Sequence, residues 1–232
     1  RVFLFQDDDF PLWGPAGRRW AAELTDRMHE SGLANRAVWK ISCRGEYVES
    51  ELFKSLRDAG LFLVYMGIES GVEQGLKILH KDMTVQGNLE AVRVLKETGL
   101  LVSYGFMLFD PSSTFDSVRE NIQFLRRIVG DGSTAATFCR MLPYGGTPIR
   151  ELLQREGRLR GDLTHPDYLF LDTRLNEYHR RLSRAARPWL DQEGLSHQLS
   201  YAWDEREAIR RLVPGTARSE IYAAALRILT AE

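Results

Sequence analysis

The sequence predicts an α/β fold: a parallel sheet with helices packed outside it, then a helical C-terminal stretch. Three observations carry this. Short apolar, β-rich runs alternate five times with longer amphipathic segments. The spacing leaves room for one helical crossover between successive runs, the connection that parallel strands require. After about Gly157 the alternation stops and helical periodicity takes over. A chain of 232 residues, 44% of them hydrophobic, can bury a substantial core. A doubly wound sheet and a barrel both satisfy the pattern.

The elements follow in order. Residues 2–5 (Val-Phe-Leu-Phe) read as the first strand, with a helix over about 16–30. Residues 37–42 form the second strand. The helix after it, 49–59, carries Leu52, Phe53, Leu56 and Ala59 on one stripe. Gly60 suits a helix C-terminus, and 61–66 is the third strand. Thr84 is placed to cap a long helix that Gly99 ends; 101–108 is the fourth strand. Thr114 caps a helix with Val118, Ile122, Leu125 and Ile128 in phase. Residues 135–139 read as the fifth strand, and 148–156 as its helix. Beyond them, 171–190 and 204–229 look helical, interrupted at Pro188, Pro214 and Gly215.

Composition narrows the function. The 31 basic residues nearly balance 32 acidic ones, for a net charge of -1. That argues against a nucleic-acid partner, which needs a basic surplus. The longest apolar run, from Leu61 to Met66, is too short for a membrane span. Cys43 and Cys139 form neither a disulfide framework nor a close-spaced metal pattern, and the five histidines have no ligand spacing. A reducing, cytoplasmic setting is expected. The chain opens at Arg1 directly into an apolar strand, which reads as the later part of a longer protein.

Chemistry in parallel α/β folds gathers where strands end and their loops converge. Charged or hydrogen-bonding groups stand at all five exits: Asp7, Asp8 and Asp9; Arg44; Glu69 and Ser70; Asp110; Arg140 and the loop from Pro143 to Pro148. Each has a plain alternative. Three adjacent aspartates suit a solvated turn, although one of them could receive a cationic ligand group. Arg44 either pairs with Glu46 or holds a carboxylate. Ser70 and Asp110 also suit turns. Glu69 is harder to explain away, since a carboxylate leaving an apolar strand needs a partner.

At these exits the chain resembles the radical SAM superfamily, in particular the branch whose members often carry an upstream cobalamin-binding domain. The segment from Phe3 to Phe10 resembles that branch's second strand, and Trp39 to Arg44 with Asp58-Ala59-Gly60 its third unit. Met66-Gly67-Ile68-Glu69-Ser70-Gly71 resembles the fourth-strand motif, followed by Leu76, Lys81 and Thr84. Gly105 to Thr114 stands where the family has a Gly-x-Pro-Gly-Glu-Thr turn, without its Pro-Gly-Glu. Leu142 to Pro148, then Glu156 to Leu159, resembles the sixth-strand exit.

The resemblance implies a partial (β/α)6 TIM-like barrel, open on one side, over residues 1–160, with a helical C-terminal extension over 161–232. Five units are counted here, so the first βα unit is expected to be missing, and with it the Cys-x-x-x-Cys-x-x-Cys loop. That loop holds a [4Fe–4S] cluster in the family. By the same resemblance, Asp7–Asp9 would face the methionine amino group of S-adenosylmethionine. Glu69 and Ser70 would contact its ribose or methionine part, and Arg44 the carboxylate side or the substrate. Asp110 and Pro143, at the fourth- and sixth-strand exits, are further expected cofactor contacts, although without Pro-Gly-Glu the fourth exit has no assured backbone contact to adenine, and the helical tail would cover the barrel mouth. The implied reaction is 5′-deoxyadenosyl-radical chemistry, with cobalamin-dependent methyl transfer as its subtype. The implied partners are a small-molecule or peptide substrate and a reductant such as a flavodoxin or ferredoxin. This chain by itself, with two cysteines, is expected to be inactive. Two alternatives stand: a non-catalytic S-adenosylmethionine- or partner-binding remnant, and an Asp-x-Asp phosphatase built on Asp7–Asp9, with Pro11 in place of the usual Thr or Val.

Overall fold

A computed structural model describes residues 1–10, 14–191, 193–213, 215 and 218–231. Five parallel strands lie side by side in chain order: β1 (Val2–Leu4), β2 (Val38–Cys43), β3 (Leu61–Glu69), β4 (Leu101–Phe109) and β5 (Cys139–Arg140). The sheet curls into a half-barrel. The crossovers are α1 (Gly14–Glu30), α2 (Ser50–Asp58), α3 (Glu73–Ile78) with α4 (Val85–Glu97), and α5 (Phe115–Val129). After β5 come α6 (Pro148–Arg155), a hairpin of β6 (Leu159–Gly161) and β7 (Pro166–Tyr168), and α7 (Arg174–Leu190), α8 (Leu195–Leu212) and α9 (Arg218–Ala231).

The helices start and stop where side-chain chemistry dictates. Thr84 accepts a hydrogen bond from the Gly87 amide at 3.0 Å, and Thr114 forms a capping box with Ser117. Thr147 caps α6, with Pro148 pre-set for the first turn. Gly60 takes φ +107° at the α2–β3 junction, where a Cβ would come within 2.7 Å of the Ala37 carbonyl. Phe53 and Leu56, fully buried on α2, each contribute about 1.5–3 kcal/mol by leaving water.

Burial alternates along the central strands. Val64, Met66 and Ile68 of β3, and Val102, Tyr104, Phe106 and Leu108 of β4, pack beneath the helices. Tyr65, Gly67 and Glu69, with Ser103, Gly105 and Met107, occupy the alternate positions and remain at least partly accessible. Those positions, joined by Lys40 and Ser42 of β2, line the hollow of the half-barrel, here called the lumen.

Several expectations are corrected. The fifth strand is two residues long, at Cys139–Arg140, not 135–139. Upstream of it, Thr134 and Thr137 bond singly to the Val102 carbonyl and the Tyr104 hydroxyl instead of forming a ladder. Pro188 lies inside α7, in its last turn, and does not interrupt it. Helix α8 begins at Leu195, well before the expected 204. Helix α3 and the β6–β7 hairpin were not expected; the hairpin crosses residue 160, and Tyr168, Phe170 and Leu175 beyond it belong to the main core. The third strand continues to Glu69. Pro11 and Pro214 lie outside the described residues.

The helical tail sits differently from the expected cover over the mouth. Arg211 of α8 donates to the carbonyls of Arg57 and Gly99, which precede β3 and β4, at 3.1 and 3.2 Å. Helix α8 therefore closes the entry end of the half-barrel, opposite the strand exits. Of the tail, α7 approaches the exits: His179 packs edge-on against Phe109, centroids 5.1 Å apart.

Candidate active site

The exits of β3, β4 and β5 form one rim. Glu69, the last residue of β3, takes φ +66°, a left-handed conformation that costs a non-glycine residue of order 1 kcal/mol. It lies at a register shift between β3 and β4. Its carboxylate sits 3.2 Å from the Lys81 ammonium, over a bare patch of sheet. Gly67 and Gly105 are direct partners across the β3–β4 ladder. A Cβ on Gly67 would meet Glu69 Oε1 at 2.9 Å, and one on Gly105 would meet the Tyr65 hydroxyl at 2.5 Å. The two glycines make the space that the Glu69 and Tyr65 side chains occupy.

Around this patch the electrostatics favour neutral groups. Burial, then the Glu69 charge, raises the Tyr65 hydroxyl and the Cys139 thiol above their ordinary pKa values. Beside it opens a cavity of about 600 Å³, mainly apolar, lined by Leu79, His80, Met107, Cys139 and Tyr144 among others. A second cavity, of about 470 Å³, lies deeper in the lumen against α8 and is bounded by Tyr65 and Ser103.

The other expected residues make the following contacts within the chain. Ser70 is buried; its hydroxyl donates to the Val72 carbonyl or Asn121 Oδ1, both at 3.3 Å, and accepts from the Val72 amide at 3.1 Å. Asp110 is buried within its own turn, accepting from the Ser112 amide at 2.7 Å and the Ser113 hydroxyl at 3.2 Å. Burial still raises its pKa, against these bonds. Pro143 is buried, its carbonyl accepting from Arg150 at 3.1 Å. Its neighbours Leu142 and Tyr144 line the rim cavity. Arg44 pairs with Glu46 at 2.6 Å. Asp7 and Asp8 are exposed, and Asp9 is half-buried; desolvation and then the Asp9 charge raise the pKa of both Cys43 and Tyr47.

Sequence reasoning missed Lys40, Ser42, Tyr65 and Ser103, which face the lumen. Their signal is the two-residue alternation of polar positions inside strands that read as continuously apolar. Arg140, marked at the β5 exit, spans the rim: it pairs with Asp167 at 2.8 Å and lies over the Tyr168 ring, 3.9 Å from its centroid.

The residues present do not fit an iron–sulfur cluster. Cys43 is buried on β2 and Cys139 is accessible on β5; two thiols cannot replace three. Among the described residues no group of three His, Cys, Asp or Glu side chains could hold a metal ion, and no helix is long and apolar enough to cross a membrane.

No family model matches the chain. It is 29% identical over 147 residues to an uncharacterized methyltransferase of Pyrococcus horikoshii, covering 63% of this chain and 30% of that protein. It is 30% identical over 120 residues to the anaerobic magnesium-protoporphyrin IX monomethyl ester cyclase of Cereibacter sphaeroides, covering 51% of this chain and 19% of the cyclase. The chain therefore spans less than a third of either relative. Its fold matches that of the cobalamin-dependent S-adenosylmethionine radical enzyme OxsB, solved with aqua-cobalamin and S-adenosylmethionine bound. That match has a TM-score of 0.68 at 15% identity, covering 98% of this chain and 42% of OxsB. The radical S-adenosylmethionine methyltransferase TsrM of Kitasatospora setae, solved with cobalamin and a [4Fe-4S] cluster, matches with a TM-score of 0.57 at 19% identity, covering 73% of this chain and 32% of TsrM. Motifs and fold agree: this chain has the partial barrel seen in radical SAM enzymes, and an uncharacterized methyltransferase and an anaerobic cyclase are among the proteins it resembles in sequence.

Proposed function

We propose that the β3–β5 rim binds S-adenosylmethionine and that these residues form the body of a radical SAM enzyme, with cobalamin-dependent methyl transfer as its reaction. The observation that carries this reading is Glu69, held left-handed over the Gly67–Gly105 patch beside an apolar cavity of about 600 Å³. Glu69 stands outside that cavity but its charge reaches Cys139, which lines it; a carboxylate next to an apolar cavity suits a ligand with a hydroxyl- or ammonium-bearing end and a flat apolar end. Glu69 would take the ribose or methionine end, and the wall from Met107 to Tyr144 the adenine. When bound, S-adenosylmethionine supplies the sulfonium whose cleavage or methyl group the chemistry uses.

The chain's own residues have positioning work to do. Lys81 orients Glu69, and the buried turns of Ser70 and Asp110 fix the two exits that frame the cavity. Asp9, after β1 and close to Cys43 of β2, would contact the amino group. The cluster finds no three-thiolate set among these residues, so its ligands and the cobalamin would come from other parts of the protein. It also requires a substrate and a reductant partner. The relatives disfavour the phosphatase alternative, since the radical SAM fold accounts for the whole strand order.

Calorimetric titration with S-adenosylhomocysteine tests the site without any turnover. Binding is expected, and Glu69→Ala should weaken it by about tenfold or more, the loss of one charge-assisted hydrogen bond. Equal affinity in the variant would remove Glu69 from the site. No binding to the parent protein would overturn the reading.

A further inference from the structure

The deeper cavity has a chemistry that the rim does not use. Lys40 of β2 and Asp204 of α8 face each other across it at 3.7 Å, with side chains about one-third and one-quarter exposed. That separation exceeds the 2.7–2.9 Å or so of a direct charge-assisted hydrogen bond. The contact is therefore an open ion pair. Burial raises the Asp204 carboxyl pKa despite Lys40 nearby, so the pair solvates its carboxylate incompletely. Close by on the same wall, His197 has a buried Nδ1 without a hydrogen-bond partner. Trp203, Phe138 and Leu190 supply apolar walls.

We infer that this cavity binds a small zwitterionic ligand of the amino-acid type, its carboxylate on Lys40, its ammonium on Asp204 and an apolar or aromatic side chain along the lumen. Such a ligand replaces one long ion pair by two charge-assisted hydrogen bonds. A ligand with one charge strands the other partner in a half-buried cavity, which costs affinity. Lys40 pairs in register with Leu63, six residues before Glu69 on β3. At about 3.3 Å per residue the head group lies roughly 20 Å along the strand from the rim. An amino-acid-sized ligand does not span that distance, so the cavity is a binding site separate from the rim.

The test is a saturation-transfer NMR titration of the purified full chain with four probes: L-phenylalanine, phenethylamine, hydrocinnamate and N-acetyl-L-phenylalaninamide. L-phenylalanine should bind at least about tenfold more tightly than each of the other three. Lys40→Met and Asp204→Asn should each cost it about tenfold, with far-UV circular dichroism confirming that the variants fold. The probe series on the parent protein holds even if a variant does not fold. Equal binding of the doubly blocked amide, or no binding of L-phenylalanine, would overturn the inference. S-adenosylhomocysteine titrated in parallel separates the two ideas. If it fails to bind while L-phenylalanine binds, the rim reading falls and the zwitterion site stands; the converse result does the opposite.

Discussion

The two sides of the half-barrel rim hold their polar residues by different means. On the β3–β4 side, Ser70, Asp110 and Asn121 are buried and hydrogen-bonded, and Glu69 is fixed by a strained backbone. Asn121 of α5 accepts from the Gly71 amide at 2.7 Å and reaches the Leu108 carbonyl at 3.4 Å, tying both exits to one helix. On the β1–β2 side, Asp7 and Asp8 face solvent and Arg44 pairs with Glu46, two residues away. The difference follows from strand length. Strands β3 and β4 run nine residues each and carry their exits beneath packed helices, whereas β1 runs three and has Val2, Phe3 and Leu4 exposed. Polar residues at a strand exit become a preorganised site where the neighbouring core fixes them.

Four experiments bear on this contrast, from the largest expected effect to the smallest. The first compares the thiols. Burial, with Asp9 and Glu46 adding to it, pushes the Cys43 thiol up to about 12, leaving about one part in 10⁴ ionised near pH 8. Cys139 is accessible. A disulfide-exchange reagent should modify one thiol in the native protein and the second only in denaturant; two native thiols would show that the β2 side opens. The second substitutes Asn121→Ala. It leaves buried partners at both exits unsatisfied and should cost about 2 kcal/mol by urea unfolding, whereas Arg44→Ala should cost under about 0.5 kcal/mol. Similar losses would erase the contrast.

The third uses pH. Asp110 has its pKa raised by burial above its ordinary 3.8, so the fold favours the neutral carboxyl. The penalty for ionising it is absent below 3.8 and complete above the raised value. This group's contribution to stability therefore falls as pH rises through that window. Asp110→Asn should remove the fall, read as urea midpoints between about pH 4 and pH 6. An unchanged profile would assign the slope to other groups. The fourth concerns the exposed edge of β1. Phe3→Lys should reduce light scattering at high concentration while changing the unfolding midpoint little, because an unpaired apolar edge recruits other strands.

Much of the fold was legible because local chemistry dictates it. Thr84, Thr114 and Gly60 act where their side chains, or the lack of one, place them. The β5 segment was misread because β propensity at 135–138 was answered by single hydrogen bonds from Thr134 and Thr137, not by a ladder. Pro188 was misread because a proline near a helix C-terminus can sit within the last turns without ending it there.

The site was legible only as a set of candidates. The sequence by itself determined the parallel order of βα units, the helix caps and the presence of a carboxylate at the β3 exit. Tertiary structure alone decided that Gly67 and Gly105 pair across two strands to make room for Glu69 and Tyr65. It also decided that Ser70 and Asp110 are buried and hydrogen-bonded beside their turns, and that Lys40 meets Asp204 across 164 positions of chain. The physical reason is range. Capping and turn chemistry act over three or four residues and can be read locally, while register, strand curl and the docking of α8 depend on contacts between distant segments.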